Sequence, residues 1–300
     1  KRQPADPGCG FSTPTPVTDG THVYTCYGTG IVVCYDLDGQ RQWVRYFDVP
    51  QMTEYGRSAS CVLVDGKLIL SLSGVLALDA ADGKTLWDAK DAEAAYYGTP
   101  VVVKIDDENV VVTPNGYVLR VSDGKILAAS IGLTQYNSPV ARDGVVYFGD
   151  VAVTAVKLPG KAAEGMKVRT LWEVELEGEI FSSPVWHAGL LYVVSNEGQL
   201  FAVDTEKGAL AWKKEIPIPS AGGMSMQPAN IYGSLALAGG KLYLANDSGH
   251  MLVVEPGREY KELSKNYIEE GSGASPVFDA KQLFLRGGEE LYCIERQTVD

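Results

Sequence analysis

A Ser or Thr residue that opens an extended segment recurs seven times along this 300-residue chain. The seven positions are Thr13, Ser60, Thr99, Ser138, Ser183, Ser234 and Ser275, and Pro follows five of them. Successive positions are 47, 39, 39, 45, 51 and 41 residues apart. Recurrence at roughly 40–50 residues indicates a repeat architecture, and one four-stranded blade of a β-propeller needs about that length.

The clearest copy covers residues 181–212 and divides into four strand-length pieces rich in β-branched and aromatic residues. Its turns at Ala188-Gly189, Asn196-Glu197-Gly198 and Thr205-Glu206-Lys207-Gly208 contain the residue types that tight hairpins need. The other copies cover residues 11–43, 58–87, 97–129, 136–172, 232–263 and 273–296. We therefore predict an all-β fold: one domain over residues 1–300, a β-propeller of four-stranded antiparallel blades with seven recognisable blades.

The last copy has only three strand-length pieces, which would leave a sheet edge exposed. We expect a strand from the N-terminus to complete this blade. Residues 1–8 form a poor strand, because Pro4 and Pro7 cannot donate to a β-ladder. Either the closure is weak, or the natural chain extends upstream of Lys1, where it could supply a leader and an eighth blade.

The composition restricts the classes of partner. The net charge of −12 disfavours binding to nucleic acid or to an anionic membrane surface. No run of about 18 apolar residues occurs, so no transmembrane segment is predicted, and we expect a monomer. The five cysteines show no CxxC spacing, which argues against a zinc site. Cys34 and Cys293 stand where other copies have Ala77 and Ala202, so we expect both to be small buried side chains.

A tryptophan closes four of the copies, at Trp43, Trp87, Trp172 and Trp212. We expect each to pack on the neighbouring blade, because its large apolar area would join blade to blade. The pattern [ST]-P-V, then D-G-x-V-Y, then A-x-D-x-x-x-G-x-x-x-W resembles the tryptophan-docking repeat of the PQQ-like propeller superfamily over nearly the whole chain.

The resemblance implies the fold and leaves several functions open. One branch comprises quinoprotein dehydrogenases, which use pyrroloquinoline quinone and calcium. Another is the outer-membrane assembly lipoprotein, a scaffold without a cofactor, and a third is a set of exported bacterial proteins. The alcohol dehydrogenases of the first branch carry a disulfide between adjacent cysteines, whereas no two cysteines here are adjacent. No position here matches their calcium ligands, so the resemblance favours the non-enzymatic branches.

The residues two positions before each Ser or Thr are mostly aromatic: Phe11, Ser58, Tyr97, Tyr136, Phe181, Tyr232 and Gly273. They could form an aromatic ring that binds a ligand, or they could simply pack between neighbouring strands; the structural role is the simpler interpretation. Irregular loops are better candidates for binding, because they break the repeat. The candidate ligand- or partner-binding residues are Glu54, Tyr55, Arg57, Tyr96, Tyr97, Gln135, Tyr136, Asn137, Phe181, Met224, Met226, Gln227, Asn230 and Tyr232.

Motifs of catalysis are missing from the sequence: no HExxH, GxSxG or P-loop occurs, and the three histidines fall at different places in the repeat. We predict no catalytic residue and no metal site. The sequence favours a non-catalytic binding or scaffold propeller of an exported bacterial protein, periplasmic or at the cell surface, with a protein or small ligand bound at its loop face. The alternative is an oxidoreductase dependent on pyrroloquinoline quinone and calcium, with the cofactor in the axial funnel.

Overall fold

A computed structural model describes residues 13–49, 56–216, 218–219 and 231–295. These residues form 27 strands in seven sheets, and each sheet keeps its strands in chain order. The chain divides into two compact units, residues 1–148 with 156–170 and residues 149–155 with 171–300. Within the described ranges no helix is long and apolar enough to span a membrane.

Sheets 1, 2 and 3 belong to the first unit. Sheet 1 contains β1 (Val17–Thr18), β2 (His22–Cys26), β3 (Ile31–Asp36) and β4 (Arg41–Tyr46). Sheet 2 contains β5 (Val62–Val64), β6 (Lys67–Ser71), β7 (Val75–Asp79) and β8 (Thr85–Ala89). Sheet 3 contains β9 (Val101–Ile105), β10 (Glu108–Val112), β11 (Val118–Arg120) and β12 (Ile126–Ala128).

Sheet 4 draws residues from both ranges and contains β13 (Val140–Arg142), β14 (Val145–Gly149), β15 (Ala152–Lys157) and β16 (Arg169–Glu175). In the second unit, sheet 5 contains β17 (Val185–His187), β18 (Leu190–Val194), β19 (Gln199–Asp204) and β20 (Ala209–Glu215). Sheet 6 contains β21 (Ala236–Ala238), β22 (Lys241–Ala245), β23 (His250–Glu255) and β24 (Lys261–Tyr267). Sheet 7 contains β25 (Val277–Asp279), β26 (Gln282–Gly287) and β27 (Glu290–Glu295).

The sheets are the blades of a β-propeller, and the predicted fold class is confirmed: six described blades have four strands and the seventh has three. Tight turns build each blade. Ala188 and Gly189 join β17 to β18 with φ of 47° and 80°, the pair of positive values that a two-residue hairpin turn needs. The predicted N-terminal strand for sheet 7 falls on residues outside the described ranges.

The core lies between adjacent sheets of each unit. Every residue of β18 is buried, whereas β20 at the outer edge of the same sheet is mostly exposed. In the second unit Tyr192 and Leu200 of sheet 5 share one apolar cluster with Leu242 and Leu252 of sheet 6. Equivalent clusters join sheets 1 and 2 and sheets 2 and 3 in the first unit. Apolar contact between adjacent blades therefore forms the core.

The tryptophans pack on the neighbouring sheet, as predicted. Each indole Nε1 donates a hydrogen bond to a carbonyl of the next sheet's outer turn: Trp43 to Ala80 (2.9 Å), Trp87 to Val121 (3.0 Å), Trp172 to Thr205 (3.0 Å) and Trp212 to Gly257 (2.9 Å). In three of these turns a glycine lies directly against the tryptophan ring, at Gly83, Gly124 and Gly208. A Cβ on Gly208 would lie 2.3 Å from Cγ of Trp172.

The repeated Ser and Thr residues also connect adjacent blades, through hydrogen bonds. The backbone N–H of one member donates to the side-chain hydroxyl of the next: Thr15 to Ser60 (2.8 Å), Ser60 to Thr99 (3.0 Å), Thr99 to Ser138 (2.9 Å), Ser183 to Ser234 (3.1 Å) and Ser234 to Ser275 (2.8 Å). The hydroxyls thus satisfy backbone donors just before the first strands of sheets 1, 2, 3, 5 and 6. We call this arrangement the hydroxyl chain.

The hydroxyl chain corrects the register of the first copy. Thr15, not Thr13, makes the bond to Ser60, so Thr15-Pro16-Val17 is the counterpart of Ser183-Pro184-Val185. The prediction of Thr13 was wrong because the sequence Thr-Pro-Thr-Pro offers the same signal twice. The position two residues earlier is then Thr13 rather than Phe11.

The burial of Cys293 was also predicted wrongly. Cys34 is 1% exposed because it faces Trp43 on the fourth strand of its sheet. Cys293 has the equivalent place on β27, opposite Phe284, but it is exposed. No fourth strand among the described residues covers β27.

Candidate functional site

Arg57 is buried and holds two loops of the first unit together. Its guanidinium carbon lies 4.8 Å from the ring centroid of Tyr96, and its Nη1 donates to the carbonyl oxygen of Leu72. The backbone of the next residues supports this contact, because Ser58 donates to the Tyr96 carbonyl at 2.9 Å. Burial lowers the pKa of Arg57 from its usual value. Arg57 is 7% exposed and positions the Tyr96 ring, and its role in binding stays a prediction.

A cavity of about 360 Å³ opens beside this contact. Arg57, Leu72 and Tyr96 line it together with the charged side chains of Lys90, Asp91 and Glu93. The cavity carries charged groups of both signs, so a charged side chain of a partner suits it better than a flat apolar ligand.

Tyr97 and Tyr136 form a ring pair one step further along the chain. Their centroids are 5.5 Å apart with planes inclined by 36°. The amide of Gln135 donates to the Tyr136 hydroxyl at 3.0 Å. Both tyrosines are half-buried and Gln135 is exposed. We call Tyr96, Tyr97, Gln135 and Tyr136 the tyrosine patch.

Asn137 directly follows Tyr136 of the tyrosine patch and is 2% exposed. Its carbonyl oxygen accepts a hydrogen bond of 2.6 Å from the Thr134 hydroxyl. The same oxygen lies so close to Gly98 that a Cβ there would approach it to 2.0 Å. Asn137 therefore holds the backbone of the loop, and the structure places it below the surface that a partner could reach.

Phe181 and Tyr232 make the corresponding pair in the second unit. Their centroids are 5.6 Å apart and the rings meet edge to face at 71°. A hydrogen bond of 2.8 Å from the Ser182 hydroxyl to the Gly233 carbonyl fixes the two loops. Tyr232 is 44% exposed and is the most open of the described candidate aromatic residues. The aromatic residues therefore pair between adjacent blades, which accommodates both a structural and a binding role.

Six of the predicted binding residues lie outside the described ranges: Glu54, Tyr55, Met224, Met226, Gln227 and Asn230. Their assignment to a binding surface stays a prediction. In the part of the chain that the structure describes, no three His, Cys, Asp or Glu side chains come together as metal ligands would.

The sequence did not predict a larger cavity of about 490 Å³ in the second unit. It lies between sheets 6 and 7, and we call it the sheet 6–7 groove. Its lining is mainly apolar and includes Tyr243, Met251, Leu263, Ser264, Leu285 and Arg286. Ser264 pairs with Val253 just as Trp212 pairs with Ala202, so Ser264 stands at the position of the docking tryptophan. The absence of a tryptophan at this position of the repeat was the sequence signal that could have predicted the groove.

The sequence profile of the family described as outer membrane protein assembly factor BamB matches residues 8–162 and 161–299. The chain belongs to this family. The resemblance to a non-enzymatic branch of the PQQ-like propellers is thereby confirmed. The BamB protein of Yersinia pestis is 26% identical over 230 residues, which cover 69% of this chain and 57% of that protein. The chain therefore matches little more than half the length of this curated relative.

Solved structures of the same fold include BamB from Moraxella catarrhalis, with a TM-score of 0.68 and 14% identity over 93% of this chain and 83% of the other. Sqt1 from Saccharomyces cerevisiae has a TM-score of 0.69 and 13% identity over 95% of this chain and 83% of the other. Identity at this level shows the shared fold alone.

Proposed function

We propose that this chain is a non-catalytic protein-binding scaffold that takes part in the assembly of outer-membrane proteins. The observation that carries the proposal is the match of the BamB family over both halves of the chain. The curated relative is named as an assembly factor, so the partner proposed here is another protein of the same process. Such a role places the chain in an exported, periplasmic location.

The tyrosine patch and the Phe181–Tyr232 pair are the surfaces that we assign to this contact. Tyrosine is enriched at protein interfaces because its ring buries a large apolar area while its hydroxyl keeps a polar contact. Each ring here already rests on another ring or on Arg57, so little side-chain entropy remains to be lost on binding. The net charge of −12 favours a partner with a basic contact surface.

Co-purification tests the proposal. The full chain is expressed with an affinity tag in the envelope of a Gram-negative host, and proteins that co-purify are identified by mass spectrometry. We expect outer-membrane assembly components with the wild-type chain and at least a tenfold loss with Tyr97→Glu or Tyr232→Glu, about 1.4 kcal/mol of binding free energy.

Tyr46→Glu is the matched control, because Tyr46 is 65% exposed on the outer strand β4. This variant should retain the partner. Equal retention by all three variants would exclude the two aromatic surfaces, and the absence of any assembly component would contradict the proposed function.

No described contact favours the alternative of a quinone-dependent oxidoreductase. Binding of pyrroloquinoline quinone with Ca²⁺ at micromolar concentration, together with dye-linked alcohol oxidation, would support that alternative and contradict the scaffold.

A further inference from the structure

Two buried cysteines face each other between sheets 1 and 2. Cys26 ends β2 and is 4% exposed, and Cys61 directly precedes β5 and is 2% exposed. Sγ of Cys26 lies 3.9 Å from the carbonyl oxygen of Ala59, two residues before Cys61. Reciprocally, Sγ of Cys61 lies 4.0 Å from the carbonyl oxygen of Tyr24, two residues before Cys26. Each thiol thus points at the backbone beside the other cysteine.

We propose that Cys26 and Cys61 are a site of oxidative modification and form a disulfide that links blade 1 to blade 2. Both residues belong to the same apolar cluster and remain free thiols in the reduced chain. Cys34 and Cys293 are also free thiols, but they lie on the third strands of sheets 1 and 7. Among the described cysteines, Cys26 and Cys61 are therefore distinguished by thiols that point towards each other's backbone.

The electrostatics of the pair indicate which thiol reacts first. A hydrogen bond from Cys61 lowers the pKa of Cys26, and the same bond together with burial raises the pKa of Cys61. The native contact thus favours the thiolate at Cys26. Since the thiolate is the nucleophile, Cys26 is the favoured attacking sulfur once the two cysteines face each other.

The reaction needs a disulfide oxidant, for which oxidised glutathione serves as the probe. The Cys26 thiolate attacks one sulfur of the oxidant, which forms a mixed disulfide and releases one glutathione thiolate. Cys61 loses its proton and attacks the Cys26 sulfur, which releases the second thiolate. Two protein thiols and one glutathione disulfide thus become one protein disulfide and two glutathione thiols. Because both thiols are buried in the folded chain, we expect this exchange to occur during folding.

Refolding from denaturant tests the proposal without any assumption about the cellular location. The full chain is refolded once with a glutathione redox buffer and once with a reductant, and free thiols are then counted in denaturant. We expect the five thiols to fall to three in the first sample, with a mass loss of about 2 Da, and to stay at five in the second. Non-reducing peptide mapping should recover the Cys26 peptide joined to the Cys61 peptide.

Two variants make the result specific. Cys9→Ser/Cys293→Ser, which removes the cysteine outside the described ranges and the exposed one, should still form the linked peptide. Cys26→Ser should not form it. Five free thiols after oxidative refolding of the wild-type chain, or linkage to a different cysteine, would overturn the proposal. Because the assay is done in vitro, it can fail while the proposed scaffold function stands, and the reverse is equally true.

Discussion

Single hydroxyl groups bind the backbone just before the first strands of sheets 1, 2, 3, 5 and 6. The backbone N–H of Ser60 donates to the hydroxyl of Thr99 at 3.0 Å, and the same bond recurs down the hydroxyl chain of each unit. Thr99→Val keeps the shape of the side chain but removes this acceptor. We expect it to lower the free energy of unfolding by about 1–3 kcal/mol, because a partly buried donor loses its partner.

Thr99→Ser keeps the hydroxyl and should cost less than about 1 kcal/mol, since serine occupies the equivalent position in sheets 2, 4, 5, 6 and 7. Urea denaturation of both variants measures the difference. If valine were tolerated as well as serine, the hydroxyl chain would not contribute to stability.

Asp204 is a second single residue that contributes to the stability of the fold, and its contribution depends on pH. Its carboxylate is 4% exposed and accepts hydrogen bonds from Arg258 and from the backbone N–H groups of Glu206 and Lys207, both at 3.1 Å. These bonds, with Arg258 first, hold the pKa of Asp204 below its usual value. A carboxyl whose pKa is depressed on folding stabilises the folded state above its unfolded pKa of about 3.9, and that stability is lost as pH falls through the folded pKa.

Asp204→Asn should therefore be clearly less stable than the wild-type chain at pH 7, and the gap should narrow on acidification below about pH 4. Urea midpoints at several pH values measure the gap. Asp82→Asn is the control, because Asp82 pairs with Lys84 on the surface and such pairs contribute little. A gap for Asp204→Asn that is independent of pH would show that the carboxylate's charge does not matter there.

At the scale of the element, the docking of tryptophan on the next turn can be tested with two glycines of sheet 5. Gly208 and Gly189 both have positive φ, 63° and 80°, so alanine is strained at either position. A Cβ on Gly208 would also enter the Trp172 ring, whereas one on Gly189 meets no atom within 4 Å. Gly189→Ala should cost about 1–2 kcal/mol, and Gly208→Ala should cost about 1–3 kcal/mol more.

Thermal or urea unfolding of the two variants measures this difference. Trp172 fluorescence should also change only in Gly208→Ala. Equal destabilisation would mean that the tryptophan moves aside freely and does not lock the blades together.

The elements could be predicted from the sequence because their signals are local. The hairpin turns and the docking tryptophans each depend on a few residues at fixed spacing, and the structure confirms both. The predicted register of the first copy was wrong because Thr13-Pro14 and Thr15-Pro16 give the same local signal. Only the hydrogen bond from Thr15 to Ser60, in another blade, identifies Thr15 as the repeat position.

The exposure of Cys293 could not be read from local signals, whereas the sheet 6–7 groove had one that the sequence analysis did not use, the missing tryptophan at Ser264. Both depend on what a neighbouring strand or side chain leaves uncovered, which is a property of the packing between blades. The candidate site could be predicted only in part, because burial in it also depends on packing between distant segments. The aromatic residues were found by their register, but the burial of Arg57 and Asn137 follows from loops that are distant in sequence.

At the scale of the whole molecule, the family match and the aromatic surfaces support one account: a scaffold that binds a protein of outer-membrane assembly. Photo-crosslinking in living Gram-negative cells tests this claim most directly. A photoreactive phenylalanine analogue replaces Tyr97 or Tyr232 in the full chain, and Tyr46 serves as the exposed control. After irradiation, the crosslinked partner is identified by mass spectrometry. The account predicts a crosslink to an outer-membrane assembly component from Tyr97 or Tyr232 and none from Tyr46; equal crosslinking from all three positions, or no crosslink to such a component, would contradict it.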